Sequence, residues 1–165
     1  VKDKKMRYFA IDLGIAMQLV NISRDIYEDS LRNRIYLPES LIGKYTPKEI
    51  SNPTEQTSAK IDLARKKIID LANIYFTSAS QAIDHLPKGA ALAVKLASAL
   101  YQQIGFQLIH TQYQHNERRC YVTSFSKLLI TLNIIAKFLI TFKANLKPHN
   151  KNLHKFLLTL PDSHF

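Results

Sequence analysis

The sequence predicts an all-α helical bundle. Only four Gly and six Pro occur in 165 residues, which leaves room for long helices and few tight turns. Apolar residues make up 46% of the chain and aromatic residues 10%, enough for a globular core. Along four long segments the apolar residues recur at helical spacing. We therefore expect one helical domain over residues 1–143, followed by a basic C-terminal tail over 144–165.

The first predicted helix carries an unusual polar stripe. No Gly or Pro lies between Ile15 and Leu37, and the apolar spacing predicts helix over at least Ile11–Asp29. Gly14 projects on the stripe at its start, where a missing side chain would let a ligand approach. At about 100° per residue, four polar side chains fall on this one face. They are Gln18, Asn21, Asp25 and Asp29.

Carboxylates at positions i and i+4 of a helix repel each other by a few tenths of a kcal/mol, so this pair favours a bound cation. Carboxylate and amide oxygens suit Mg²⁺, which commonly bridges protein carboxylates to substrate phosphates. The nearby Arg24, Arg32 and Arg34 could hold phosphate oxygens in a forked geometry. The alternative is a solvated acidic face on a surface helix, in which Arg24 forms an ion pair with Glu28.

Turn signals separate the next elements. Arg32–Ile42 reads as a returning loop, and Thr46-Pro47 as an N-cap with Pro at the first position of a short helix. Asn52-Pro53 repeats that pattern and predicts a second long helix to about Ile83. Its predicted exposed face holds Arg65, Lys66 and Lys67, and its predicted apolar face holds Ile61, Ala64, Ile68, Leu71, Ala72, Tyr75 and Phe76.

Two further helices are predicted. The first runs from about Gly89 to His115, after a turn in which His85 is expected to be solvated. Tyr101 in this helix has the spacing of a core residue. The second runs from about Ser124 to Lys143, and its uncharged run is far shorter than the roughly 20 residues that cross a bilayer. It is either a core helix, which we favour, or an amphipathic surface that contacts a membrane.

Charge and rare residues restrict the function classes. Lys and Arg outnumber Asp and Glu by 23 to 13, so the chain attracts anions such as nucleic acid, anionic lipid or diphosphates. No nucleic-acid motif is found, which argues against that partner. The single Cys120 excludes an internal disulfide and favours the cytoplasm. The tail histidines lack the paired spacing of a zinc site on one element. They are His149, His154 and His164.

Two stretches resemble the squalene and phytoene synthase family. Gln18-Leu-Val-Asn-Ile-Ser-Arg-Asp-Ile-Tyr-Glu-Asp29, followed by Arg34-Ile-Tyr-Leu-Pro38, resembles the family's second aspartate-rich motif. Downstream, Leu100–Ile104, then Tyr113, Arg118–Val122 and Lys127, resemble its late helix and its Lys/Arg-Arg-Ala-Tyr-Val segment. The resemblance covers about Phe9 to Ala136, the C-terminal half of a usual member.

The resemblance implies the C-terminal half of an isoprenoid synthase fold. Such enzymes join two prenyl diphosphates, farnesyl or geranylgeranyl, head to head, with Mg²⁺ held by two facing aspartate-rich motifs. It implies that Asp25 and Asp29 are catalytic and bind the metal together with Asn21, with Glu28 nearby. The implied substrate-binding residues are Gln18, Arg24, Arg34, Tyr36 and Tyr101. The sequence leaves the use of NADPH open but does not indicate it.

The chain also departs from the family pattern. Asp25 and Asp29 form its one DxxxD pair, and Gly105, Phe106 and Gln107 stand where the family has acidic residues after its tyrosine. We therefore expect a fragment, a truncated gene product or one part of a split protein, inactive without an N-terminal half or partner subunit and prone to instability or association. The alternatives are a head-to-tail prenyl diphosphate synthase, against which the missing DDxxD counts, and a non-catalytic helical protein that binds lipid, a membrane surface or a partner subunit.

Overall fold

The computed structural model describes residues 4–110, 123–140 and 146–159. These residues form helices and connecting loops, with no strand among them, so the predicted all-α class is confirmed. The helices are α1 (Lys4–Arg24), α2 (Ile26–Leu31), α3 (Glu39–Ile42), α4 (Pro47–Ser51), α5 (Glu55–Ile83), α6 (Lys88–His110) and α7 (Ser124–Ile140), followed by a 3₁₀ helix (Lys151–Thr159).

The centre of the fold is the packing of α1, α5 and α6. Gly105 of α6 lies where the three helices meet, because a Cβ built there would be 3.3 Å from the Ile69 side chain and 3.8 Å from Val20. The missing side chain thus allows close approach of α6. The main buried cluster consists of Ala16, Val20, Ile69, Ala72, Tyr75, Phe76 and Leu108.

Helix α5 differs from its prediction at its start. Its N-cap is Thr54, whose hydroxyl accepts a hydrogen bond from the Thr57 amide, so the predicted start at Asn52-Pro53 is wrong. A side-chain cap two residues later outcompetes the Pro signal. By contrast, the predicted cap of α4 is confirmed, because Thr46 and Glu49 form a reciprocal capping box.

The buried face of α5 is also broader than predicted. Ile69 is buried whereas Leu71 is 43% exposed, because α1 and α6 cover α5 from two sides. Arg65 was expected on the exposed face and is instead 5% exposed, while Lys66 and Lys67 are exposed as predicted. The buried face of α5 therefore includes Arg65, a cationic residue that the helical periodicity had placed on the exposed face.

Helices α6 and α7 begin within one residue of their predicted starts, and their predicted ends lie outside the described residues. Helix α7 packs on α6 but leaves an apolar stripe exposed, so the favoured prediction of a core helix is wrong for this face. Across the described part of the chain, no helix is both long and apolar enough to cross a membrane. The exposed stripe consists of Phe125, Leu128, Leu129, Leu132 and Ile135.

The described part of the tail, residues 146–159, packs against α1 and α5. The Tyr75 hydroxyl donates to the Leu153 carbonyl at 2.9 Å. The imidazoles of His149 and His154 both contact the buried Asp12 carboxylate. The sequence prediction concerned only the spacing of a zinc site within one element, whereas the fold brings His149 and His154 of the tail together at Asp12 of α1. His164 lies outside the described residues, and a domain boundary at 143/144 stays a prediction.

Candidate metal and diphosphate site

The predicted helix over Ile11–Asp29 is interrupted at Asp25, where φ is −97° and ψ is 15°. These angles lie in the sparsely populated bridge region, just outside the α-helical region. Helical hydrogen bonds nevertheless continue on both sides of the bend. The Asp25 amide donates to the Asn21 carbonyl at 2.9 Å, and the Asp29 amide donates to the Asp25 carbonyl at 2.8 Å. The prediction of one unbroken helix is wrong at this residue, but the one-turn spacing of the three polar residues is kept.

Helix α5 supports the bend from the core side. The Arg65 Nε donates to the Ser23 carbonyl at 3.2 Å in a buried contact, and the same guanidinium pairs with Asp62. A carbonyl in the last turn of a helix lacks its regular intrahelical partner, and this cation supplies one. Arg65 is therefore a structural part of the site, which periodicity did not reveal.

Arg24 and Asp25 form a bidentate ion pair, with Nε–Oδ1 at 2.7 Å and Nη2–Oδ2 at 2.8 Å. Their side chains are only 13% and 18% exposed. The hydrogen bond to Asp25 raises the pKa of Arg24, against the lowering effect of burial, and the nearby Tyr101 adds to the rise. An ionised carboxylate has about four lone-pair sites, and the pair with Arg24 occupies two of those of Asp25.

Asn21 offers an unsatisfied oxygen one turn before Asp25. Its Oδ1 atom is buried and accepts no hydrogen bond from the described residues. An unpaired buried acceptor costs about 1–3 kcal/mol, which a bound cation would offset. This atom supports the predicted ligand role of Asn21 independently of the sequence pattern.

Asp29 lies in an environment that disfavours its charge. Burial is the main cause that raises the pKa of its carboxyl, and repulsion from Asp25 adds to it, although Arg32 and Arg34 act in the opposite direction. A cation shared between the two carboxylates would remove that repulsion. The electrostatics therefore favour a bound metal at this end of the stripe.

Because its pKa is raised on folding, Asp29 favours the folded state when protonated, and this contribution is lost as pH rises through the folded pKa. Asp29→Asn should therefore increase the free energy of unfolding at pH 7 without metal, and the gain should shrink towards pH 4. Urea unfolding with a chelator at both pH values measures this. Asp70→Asn, at an exposed position of α5, is the control. A loss of stability at pH 7 in Asp29→Asn would contradict the interpretation.

A residue in the left-handed backbone conformation, Asn33, turns the chain back towards Asp29. Asn33 has φ of 58°, and the Arg34 amide donates to the Asp29 carbonyl at 2.9 Å. Arg34 and the 53% exposed Tyr36 thus border Asp29 at a cavity of about 10 Å³, room for about one water. The other lining residues are Ile22, Ile26, Ile35, Leu37 and Ile50.

This turn predicts a contrast between two substitutions at Asn33. Valine should lower the free energy of unfolding by about 1–2 kcal/mol, because a β-branched residue resists positive φ, whereas glycine should be tolerated. Denaturant unfolding of Asn33→Val and Asn33→Gly measures the difference. Equal stability of the two variants would show that the turn does not hold this conformation.

The remaining predicted residues surround this centre. Tyr101 is half-buried against the core, as its spacing predicted, and is close enough to Arg24 to affect its pKa. Gln18 is exposed one turn before Asn21. A Cβ built on Gly14 would meet nothing within 4 Å, so there is open space beside the helix here, and the approach of a ligand to it stays a prediction.

These donors fit Mg²⁺ only in part. Two carboxylates and one amide oxygen match the hard oxygen ligands that Mg²⁺ prefers, but an octahedral ion needs six. In the described ranges, no third acidic or imidazole group joins Asp25 and Asp29 in a close cluster. Water or phosphate oxygens would have to complete the coordination.

Comparison with known proteins places these residues in a family. The squalene/phytoene synthase family model matches residues 1–126. The chain is 31% identical over 132 residues to 15-cis-phytoene synthase of Enterobacter agglomerans, which covers 79% of this chain and 44% of the relative. It is 34% identical over 133 residues to 15-cis-phytoene synthase of Pantoea ananas, covering 80% and 43%.

A plant relative gives the same result. Phytoene synthase 2 of Solanum lycopersicum, a chloroplast protein, is 30% identical over 139 residues, covering 84% of this chain and 45% of the relative. The chain therefore spans less than half the length of these relatives. No solved structure matches it.

Proposed function

Because the chain belongs to the squalene/phytoene synthase family, we propose that it supplies the second aspartate-rich half of a Mg²⁺ site that joins two prenyl diphosphates head to head. The observation that carries this proposal is the buried Asn21 Oδ1, one turn before Asp25, which has no hydrogen-bond partner among the described residues. These three residues would hold Mg²⁺. The metal would neutralise charge on a departing diphosphate.

The basic and aromatic residues around the stripe would bind the diphosphate itself. Arg24 is fixed by Asp25 at the edge of the stripe, where its remaining N–H groups could reach phosphate oxygens. Arg34 and Tyr36 border Asp29 from the other side. Gln18 and Tyr101 would contact the substrate at the rim, while apolar walls would shelter a carbocation from water.

The names of the relatives support one of the two candidate substrates. Their names specify phytoene as product, a molecule assembled from two geranylgeranyl units. We therefore favour geranylgeranyl diphosphate over farnesyl diphosphate.

The proposed site is a half-site. Asp25 and Asp29 offer too few ligands to hold and ionise two diphosphates, and the family's facing motif is absent from these 165 residues. A segment that carries the facing motif, on the same polypeptide or on another, would complete the site. The exposed apolar stripe of α7 supports association with such a partner, because contiguous exposed apolar surface commonly marks an interface.

Calorimetry with Mg²⁺ tests the half-site directly. We expect weak Mg²⁺ binding by the chain alone and at least about tenfold tighter binding with a non-hydrolysable geranylgeranyl diphosphate analogue, whose oxygens complete the octahedron. Asp25→Ala and Asp29→Ala should abolish the enhancement, and Asp70→Ala should not. Equal enhancement in all three variants would refute the proposed ligands.

Arg24→Lys should weaken binding of the analogue by about 1–2 kcal/mol, because lysine keeps the charge but loses the forked hydrogen bonds. If Arg24 acts only through its pair with Asp25, the substitution will change unfolding and leave analogue affinity unchanged. Titration of wild type, Arg24→Lys and Glu28→Gln separates these outcomes. Glu28→Gln is the matched control for altered charge on the next turn.

A second candidate function is a non-catalytic helical protein of the same fold, favoured by the exposed stripe of α7. Two substitutions distinguish it from the half-site. Leu132→Glu should abolish association with a partner or lipid but spare Mg²⁺-dependent binding of the analogue, whereas Asp29→Ala should do the reverse. If Asp29→Ala leaves both the association and the Mg²⁺-dependent binding of the analogue unchanged, the non-catalytic function is favoured.

A further inference from the structure

A second group of metal-ligand side chains combines Asp12 of α1 with two histidines of the tail. Asp12 of α1 is fully buried, and its two oxygens face two imidazoles. His149 Nε2 lies 2.8 Å from Oδ2, and His154 Nε2 lies 2.6 Å from Oδ1. Ligand atoms of all three residues lie within 4.8 Å of one another, and their side chains are at most 7% exposed.

Aromatic side chains enclose this group. Tyr8 stacks on His149 with ring centroids 5.3 Å apart, and Phe9 meets the same ring edge-on at 5.0 Å. The two imidazole centroids are 4.6 Å apart. Such a wall shields the group from bulk water and strengthens interactions between charged groups inside it.

Hydrogen bonding alone leaves this group incompletely satisfied. The Nδ1 atoms of both His149 and His154 are buried and have no hydrogen-bond partner in the described part of the chain. Whichever tautomer each ring adopts, one nitrogen stays unpaired, since the other faces Asp12. A metal–nitrogen bond at each Nε2 atom, which is stronger than a hydrogen bond, would offset the cost of leaving Nδ1 buried and unpaired.

We propose that Asp12, His149 and His154 bind a divalent transition metal ion, with Zn²⁺ as the best match. Two imidazoles and one carboxylate suit Zn²⁺ and not Mg²⁺, which prefers oxygen ligands. Tetrahedral Zn²⁺ with bonds of about 2.0–2.1 Å needs ligand atoms about 3.3 Å apart, so Nε2 and carboxylate oxygen would separate by about 0.5 Å at His149 and about 0.7 Å at His154. A single enclosed water would fill the fourth position.

Ser78 of α5 positions the carboxylate ligand. Its hydroxyl donates to Asp12 Oδ2 at 2.6 Å, the kind of outer hydrogen bond that orients a ligating carboxylate. The ion would connect α1, through Asp12, to the segment that carries both histidines. The proposed role is therefore a structural metal that fastens residues 146–159 to the helical body. It is independent of prenyl transfer.

Metal titration of the intact 165-residue chain tests the proposal. After treatment with a chelator, Co²⁺ should bind in one equivalent with the visible d–d absorption of a four-coordinate site, and Zn²⁺ should displace it. His149→Gln and His154→Gln should weaken Zn²⁺ binding more than about 100-fold, and Ser78→Ala about 10–100-fold. His110→Gln, an exposed histidine on α6, and Asp29→Asn should leave the affinity unchanged.

X-ray absorption of the Zn²⁺-loaded wild type keeps the test decisive even if a variant fails to fold. The expected spectrum has two imidazoles and otherwise oxygen neighbours. A sulfur neighbour, an all-oxygen shell, unaltered affinity in His154→Gln, or no Co²⁺ or Zn²⁺ binding by the folded wild type would overturn the proposal. The last result would assign the group to hydrogen bonding alone.

Discussion

Asp29→Asn is expected to reduce head-to-head prenyl transfer by about 10²–10³-fold when the chain is combined with a polypeptide that carries the family's first aspartate-rich motif. Asparagine keeps the size of the side chain and one oxygen but removes the charge that would bind Mg²⁺. Incubation with labelled geranylgeranyl diphosphate and Mg²⁺ measures the product. Because Asp29→Asn should also stabilise the metal-free fold, unfolding would not explain lost activity.

Two controls accompany this assay. The isolated chain should form no head-to-head product, and Asp70→Asn should retain wild-type activity in the combined assay. Product from the isolated chain that disappears in Asp29→Asn would show that copies of this chain complete the site by self-association. Full activity of Asp29→Asn with the partner would refute the catalytic role of Asp29.

The second large effect is expected from Asp12→Ala, which should lower the free energy of unfolding by about 3–5 kcal/mol with a chelator present. The substitution removes a fully buried carboxylate and leaves Ser78, His149 and His154 facing a buried space. It should also release the tail from α1. Urea unfolding gives the energy, and limited proteolysis reports exposure of residues 146–159.

Asp70→Ala is the matched control for this prediction. It removes an exposed ion pair with Lys66, and such pairs contribute between zero and about 1 kcal/mol. A loss below about 1 kcal/mol in Asp12→Ala as well would contradict the docked tail.

Local signals predicted the helices well. The Thr46-Pro47 cap, the end of α5 near Ile83 and the start of α7 depend on neighbours within a few residues, and the structure confirms them. Arg65 was misassigned because its burial depends on a carbonyl of α1, 42 residues earlier. The apolar stripe of α7 was predicted to be core and is exposed. Periodicity identifies an apolar face but does not show whether another element covers it.

Some features of the candidate site were likewise predicted from the sequence and others were not. The motif pointed to Asn21, Asp25 and Asp29, and the structure keeps their spacing although the helix bends. The bidentate pair of Arg24 with Asp25 was not predicted, because a helix wheel places neighbouring residues about 100° apart. The ligand and substrate roles of these residues remain predictions.

The group around Asp12 could not be predicted from local spacing. Asp12 lies 137 residues from His149 and 142 from His154, so no pattern along the chain connects them. Asp12 also sits among apolar residues of α1 and lacks a charged neighbour within a turn that would mark it.

NMR of the chain with ¹³C-labelled aspartate carboxylates and ¹⁵N-labelled asparagine tests the half-site most directly. Mg²⁺ and the geranylgeranyl diphosphate analogue, added together, should shift the Asp25 and Asp29 carboxylate signals and the Asn21 side-chain amide, with much smaller shifts from Mg²⁺ alone. Asp62 and Asp70 should stay in place. Unshifted Asp25 and Asp29 signals under saturating Mg²⁺ and analogue, or equal shifts at Asp62 and Asp70, would contradict a metal and diphosphate site at the bend between α1 and α2.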